Sequence, residues 1–222
     1  MRTLILFCCL LLKLSASLAQ EFKIDVSYQY LYSGQWDKAI QTYNFSRPFL
    51  REKQPLLVSG LNTSSSYIFK NEKHFKHGLS LSYSYFGSLA ENENLTNKLN
   101  LHFVNIGYLL HYQNPEKYKG LYADLIVSAS SSMLFRRVNG APYIYDERRS
   151  KAFGIGGELQ FNLGYYFHLK SKSYLSPLIA FGYTPYFHSP NTETVINQTK
   201  SLTSKTWTGI LMVQLGIAYV FK

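Results

Sequence analysis

Cysteine is almost missing from this chain. Its two cysteines, Cys8 and Cys9, stand side by side near the start, so beyond residue 9 no disulfide, thiol nucleophile or cysteine-held metal is available. Long apolar runs are missing as well: past the first 14 residues nothing approaches the roughly 18 consecutive apolar residues of a membrane-spanning helix. Acidic residues are few, 13 against 23 lysines and arginines, which gives a formal charge of +10. No glycine-rich loop that could cradle a phosphate is present, because Gly154, Gly156 and Gly157 sit inside an alternating run where they relieve crowding or permit bending. The six histidines show no paired helical spacing; His74 and His77, in a basic turn, read as solvated residues before metal ligands.

What is present begins with a leader. Met1-Arg2 supplies positive charge, Leu4 to Leu14 is apolar apart from Lys13, and Ser17-Leu18-Ala19 offers small residues for cleavage. Residues 1–19 are therefore expected to be a signal peptide removed after Ala19. Cys8 and Cys9 lie too early in it to be a lipidated cysteine. Without Arg2 and Lys13 the remainder holds 21 basic and 13 acidic residues, a formal charge of +8. An exported chain without a membrane helix is soluble, or it crosses a bilayer as a closed β-barrel, where every backbone group finds a partner.

The choice rests on alternation. From Thr206 to Phe221 one register holds Trp207, Gly209, Leu211, Val213, Leu215, Ile217, Tyr219 and Phe221, while the other is mixed and small. A period of two is the mark of a strand. This one is long enough for the roughly 9–11 residues of a membrane strand and has aromatic residues at both ends. The pattern recurs with Phe22, Ile24, Val26, Tyr28, Tyr30 and Tyr32; over Leu56–Phe69; from Leu79 to Phe86, ended by Gly87; over Leu99–Tyr112, stopped at Gln113-Asn114-Pro115; from Leu121 to Ser130; over Phe153–Tyr165; and over Tyr174–Tyr186. Glu158, Gln160 and Asn162 share one face of the sixth run, as suits the polar interior of a membrane barrel.

Long connections are expected at 33–54, 87–98, 133–150 and 187–205, with a short helical turn from Trp36 to Tyr43, and short ones near 70–76, 113–119 and 167–173. Long and short alternate, as outer loops and periplasmic turns do. The expected fold is all-β: one eight-stranded antiparallel up-and-down transmembrane β-barrel over residues 20–222. At eight strands side chains fill the interior, so a plugged cylinder is expected. Asp25, Asp124, Glu158, His102, Gln160 and Gln214 are expected to contribute to a hydrogen-bonded lumen.

Before the final Lys222 the chain reads Gln214-Leu215-Gly216-Ile217-Ala218-Tyr219-Val220-Phe221. This polar-x-Gly-x-x-aromatic-x-aromatic ending resembles the C-terminal assembly signal of bacterial outer-membrane barrels, carried by Gln214, Gly216, Tyr219 and Phe221. The whole chain after the leader is similar to the small eight-stranded outer-membrane barrels of the OmpA/OmpX type, and its tyrosine-rich strands look most like barrel-only proteins of the Bacteroidota. The resemblance implies a Gram-negative outer membrane, with contacts to its lipid, to lipopolysaccharide and to the barrel-assembly machinery. It does not imply an activity, because this barrel serves adhesins, structural proteins, narrow channels and lipid-modifying enzymes.

His188-Ser189-Pro190-Asn191 is the most enzyme-like cluster, but the proline interrupts it and neighbouring residues of a strand point oppositely. No catalytic, cofactor-binding or metal-ligating residue is assigned. Arg136, Arg137, Arg148, Arg149 and Lys151 crowd the third long connection and could contact phosphate or acidic glycan. The aromatic residues follow the strand period, so nucleic acid is not an expected partner. The expectation is a non-enzymatic envelope protein, structural, adhesive or accessory, acting through outer loops; a lipid A-modifying enzyme and a narrow, porin-like conduit are the alternatives.

Overall fold

The computed structural model describes residues 19–48, 51–69, 74–92, 95–113, 120–139, 148–169, 173–189, 192, 195–196 and 207–221. The expected leader lies outside them except for Ala19, as does the expected stop at Asn114-Pro115. Eight strands form the wall: β1 (Ala19–Tyr32), β2 (Ser59–Phe69), β3 (Phe75–Asn92), β4 (Leu95–Gln113), β5 (Leu121–Asn139), β6 (Arg148–Tyr165), β7 (Ser173–His188) and β8 (Trp207–Phe221). A helix, α1 (Gly34–Phe45), follows β1. A two-residue segment, Phe167–His168, pairs only with Leu175 and Tyr174 of β7.

Each strand pairs antiparallel with its neighbours in sequence, and one further ladder, between β1 and β8, closes the circle. β1 pairs with β8 from Phe22–Phe221 to Tyr32–Leu211. The β6 and β7 strands pair from Gly154–His188 to Gly164–Leu178. Two rungs are missing there, where Gly157 and Glu158 face Pro185 and Thr184; Pro185 has no N–H to give. A sheet closed on itself has no edge, the condition for placing strands in hydrocarbon. Gly120, at φ 106°, turns the chain into β5 in a conformation that glycine adopts freely.

The alternation read from the sequence sorts the two faces. Ile24, Val26, Leu81, Val104, Ile106, Val127, Leu159, Leu211, Leu215 and Ile217 are exposed on the outside, forming the middle of an apolar belt. Phe22, Phe69, Phe75, Tyr112, Tyr165, Phe167, Tyr219 and Phe221 rim one end, and Tyr30, Tyr32, Tyr83, Phe135, Phe153, Phe187 and Trp207 rim the other. Inside, Lys23, Asp25, Ser27, Gln29, Asn62, Asn105, Asp124, Glu158, Asn162 and Gln214 are buried. Water-soluble sandwiches bury their aromatic faces; here they surround the molecule, and only lipid makes that arrangement stable.

The strands overrun their expected ends on one side. β3 continues past Gly87 to Asn92 and β4 begins at Leu95, so 87–98 is a tight hairpin and not a long loop. β5 runs to Asn139 and β6 starts at Arg148, which shortens the expected 133–150 connection in the same way. Beyond the belt the outside meets water, so the pattern inverts: Phe86, Ala90, Leu99, Leu101, Leu134 and Ala152 are buried inside, while Lys98, Arg137 and Lys151 face out. Polar composition therefore hid four strand ends. β2, in contrast, starts at Ser59 and not at Leu56, because Leu57 leaves the wall to pack inside at 1 % exposure.

A closed barrel should keep its shape in cold detergent. Unheated protein from the outer-membrane fraction is expected to migrate differently from boiled protein in denaturing gels; identical migration would contradict closure.

Candidate functional site

The interior has two layers. At the end carrying the chain termini, Asp124 is wholly buried between two basic partners: the Lys23 ammonium donates to Oδ2 and His111 Nδ1–H donates to Oδ1 at 2.6 Å. Lys23 also lies 4.9 Å from the Tyr122 ring centre, and Tyr122 stacks on Tyr166 at 4.4 Å. Lys76 donates to Glu21 at 2.5 Å, and Ser64 donates to Asp25. Higher up, Ser27, Asn62, Ser84 and Gln214 are joined by hydrogen bonds, as are Gln160 and Asn162. Glu158 accepts from Ser128 at 3.2 Å beside a cavity of about 10 Å³, about the space one water needs. A buried carboxylate must be paired to be tolerated, so these bonds hold the eight strands in register as they fill the lumen.

At the other end the interior is apolar. The α1 helix buries Trp36, Ala39, Ile40 and Tyr43, positions at i, i+3, i+4 and i+7 that share one helical face. Trp36, Ala39 and Ile40 meet Leu31, Leu57, Phe86, Leu99, Leu101, Phe103, Leu134, Tyr186, Ile210 and Met212 in one cluster. The Trp36 ring lies 6.4 Å from Phe103 and 6.1 Å from Tyr186. Gly154 and Gly156 make room for Tyr186: a Cβ on Gly154 would stand 2.3 Å from its ring. Asp37, in the first turn, accepts from the Ser33 backbone N–H, while burial pushes its carboxyl above the ordinary value. The return segment is tied down by Asn44 and Gln54, which exchange hydrogen bonds at 2.9 and 2.8 Å, and by Gln54 donating to Ser88 at 2.6 Å. The expected short turn over Trp36–Tyr43 is thus a twelve-residue helix, seated as a stopper.

The basic residues of the third connection part company. Arg136 points inward at 2 % exposure. Its Nη1 donates to the carbonyls of Val195, at 3.0 Å, and Ile196, and its guanidinium lies 4.4 Å from the Tyr43 ring centre. It therefore latches the segment before β8 onto α1. Arg137 and Lys151 stand on the outer face. Arg148 and Arg149 open β6, on the rungs of Val138 and Arg137 respectively.

His102, expected in part in the lumen, faces outward instead. It shares the parity of Val104, approaches the Tyr83 hydroxyl at 2.7 Å and packs on the Tyr85 and Phe135 rings. His111, in contrast, is wholly buried on the lumen face of β4. Lys23 went unassigned in the sequence, although its alternation with Phe22 and Ile24 already places it inside. Gln214 and Gly216 face inward, and a Cβ on Gly216 would come 2.5 Å from Ser27, so the closing seam is tight. Tyr219 and Phe221 face lipid, their ring centres 4.6 Å apart.

Chemistry of a triad type is not assembled among the described residues. His111 and Asp124 resemble the base and orienting acid of such a site, but His111 Nε2 has no hydroxyl partner and the pair is closed in by Lys23. His188 Nδ1 lies 3.3 Å from the backbone oxygen of Ser189. No group of three or more histidine, cysteine or carboxylate residues among the described ones could hold a metal.

A closed eight-stranded wall with an apolar exterior, aromatic rims and a polar interior defines an integral outer-membrane β-barrel. No family model matches the sequence, and no curated protein matches it. Among solved structures the chain is similar to Neisserial surface protein A, at 11 % identity over 91 % of this chain and 96 % of that one, with a TM-score of 0.45. It is similar to Ail of Yersinia pestis at 12 % identity over 90 % and 98 %, TM-score 0.42, and to a major outer membrane protein of Thermus thermophilus at 10 % over 90 % and 99 %, TM-score 0.46. At these values the likeness adds nothing to what the strands and their faces show.

Removing one partner of the buried pair should be far worse than removing both. Asp124→Ala is expected to cost about 3–5 kcal/mol by stranding Lys23, whereas Lys23→Met with Asp124→Leu should recover most of it. Urea unfolding of vesicle-refolded protein measures both; a single variant as stable as the parent would remove the pair from the account.

Proposed function

We propose that this protein is a non-conducting, non-enzymatic component of the outer membrane, with a structural or adhesive role carried by its outer end. The observation that supports this reading is the seating of α1. A conduit needs a continuous polar path, and the polar column that begins at Lys23 and Asp124 runs into a plug of Trp36, Ile40, Phe86, Phe103 and Tyr186. The plug is latched by Arg136 and by the Asn44–Gln54 bonds, so it belongs to the fold. By the rule that long connections are extracellular, α1 and the overrunning strands β3 to β6 form the exposed surface. The terminal strand, with Tyr219 and Phe221 on the outside, is the segment the assembly machinery would receive.

Purified protein in planar bilayers is expected to give no steady conductance. Trp36→Ala with Ile40→Ala, which empties the centre of the plug, should cost several kcal/mol of stability and introduce openings. Steady openings of the unaltered protein would overturn the plugged reading. Phe221→Ala is expected to lower the amount of folded, heat-modifiable barrel in membranes without changing total synthesis; unchanged assembly would deny the terminal aromatic its role.

A further inference from the structure

Among the described residues, the exposed cations of the outer wall lie on one side. Lys98 of β4 pairs in register with Arg137 of β5, and Arg137 with Arg149 of β6. One rung lower, Asn100 pairs with Phe135 and Phe135 with Lys151. Lys98, Arg137 and Lys151 are all exposed. Below them come His102 and Phe153, and then the apolar belt. The arc therefore sits immediately above the hydrocarbon boundary, at the depth of lipid headgroups. On the remaining sides the outer rim is Tyr32, Phe187 and Trp207, and at the opposite rim no lysine or arginine among the described residues faces outward.

Like charges on directly opposed strand positions repel, their Cβ atoms lying about 4.5–5.5 Å apart. Lys98 and Arg137 on one rung, with Lys151 one rung lower on the next strand, make an arc across three strands, a span of about 10 Å, that an anion placed between them would stabilise. Neither Lys98 nor Lys151 is ion-paired to a carboxylate among the described residues; the Lys151 ammonium lies 5.7 Å from the Phe153 ring centre. The nearest outward carboxylate on the adjoining strand, Glu91, lies beyond Leu89, which is the rung partner of Lys98. Arginine binds phosphate oxygens through paired donors, and lysine adds point charge.

We propose that Lys98, Arg137 and Lys151 form a lateral site for the phosphate groups of an outer-leaflet saccharolipid of the lipid A type. This rests on the outer end being extracellular, as proposed above. The acyl chains of such a lipid would lie on the belt below the arc while its phosphates meet the cations, so the site fixes one lipid against the β4–β6 face.

The test uses the full barrel refolded in phosphatidylcholine vesicles containing a minor fraction of bisphosphorylated lipid A, or the same lipid with its phosphates removed. The lipid A retained after extraction into mild detergent is then measured. The unaltered barrel should retain the phosphorylated form preferentially. The variant K98Q/R137Q/K151Q should retain about tenfold less or lower still, with its heat-modifiable band intact. A control that removes the same charge from the outer connection, K38Q/R51Q/K53Q, should retain as much as the parent. Equal retention by parent and arc variant, an equal loss in the control, or no preference for the phosphorylated lipid would each overturn the proposal. So would displacement of the lipid by inorganic phosphate at equal phosphate concentration, which would make the ligand soluble. Bilayer conductance, measured separately, reports on the plug, so either reading can fail without the other.

Discussion

Closure of the backbone hydrogen-bond ladder is the constraint on which this structure depends. In hydrocarbon an unpaired N–H or C=O costs several kcal/mol, so the first and last strands must meet. They do so over eleven positions, from Phe22–Phe221 to Tyr32–Leu211. The tight approach of Gly216 to Ser27 lets the two backbones come together there. Once the ring is closed, side-chain parity is fixed for every strand, because a slip of one residue would send Lys23, Asp25 and Gln29 into lipid. The register of the seam and the polarity of the lumen are thus a single condition. The missing rungs at Pro185 lie away from that seam, in the ladder between β6 and β7, and leave the β7–β8 ladder unbroken.

The same wall then passes through two solvents. Within the bilayer it is apolar outside and polar inside; above it, the medium outside becomes water and the preference reverses. Leu99, Leu101, Leu134 and Ala152 turn inward on the very strands that lower down carry Asn105, Ser128, Glu158 and Asn162 inward. An apolar upper interior has to be filled, and the wall's inward side chains there pack against those of α1. The α1 helix supplies the missing volume with Trp36, Ile40 and Tyr43. The plug is therefore a consequence of how tall β3 to β6 stand: strands that ended at the membrane surface would leave α1 no apolar pocket to enter.

Much of this was legible in the sequence, wherever lipid imposed a single rule. The outward faces of β1, β6 and β8 follow directly from alternation. The helix was legible too, since Trp36, Ala39, Ile40 and Tyr43 carry a helical apolar period, although the polar residues between them suggested only a turn. The upper ends of β3 to β6 were not legible, because a strand rising into water no longer needs apolar outward residues and its composition looks like that of a loop. The polarity of His102 suggests the lumen, but its parity with Val104 sets it outside, where the Tyr83 hydroxyl meets it. Arg136 could not have been separated from Arg137 by composition, and only the run of β5 to Asn139 shows that the two point to opposite faces.

That separation changes the meaning of the chain's positive charge. A formal charge of +10 reads as one property, but the fold divides it into parts that never act together. Lys23 is neutralised inside by Asp124, and Lys76 by Glu21. Arg136 is consumed by backbone carbonyls and by the face of Tyr43. The remainder on the wall gathers above the belt on β4, β5 and β6, where strand pairing forces like charges onto neighbouring rungs. Such an arrangement costs stability in water. At the surface of a membrane whose headgroups are anionic it would become favourable, which is the physical ground for the lipid site proposed above.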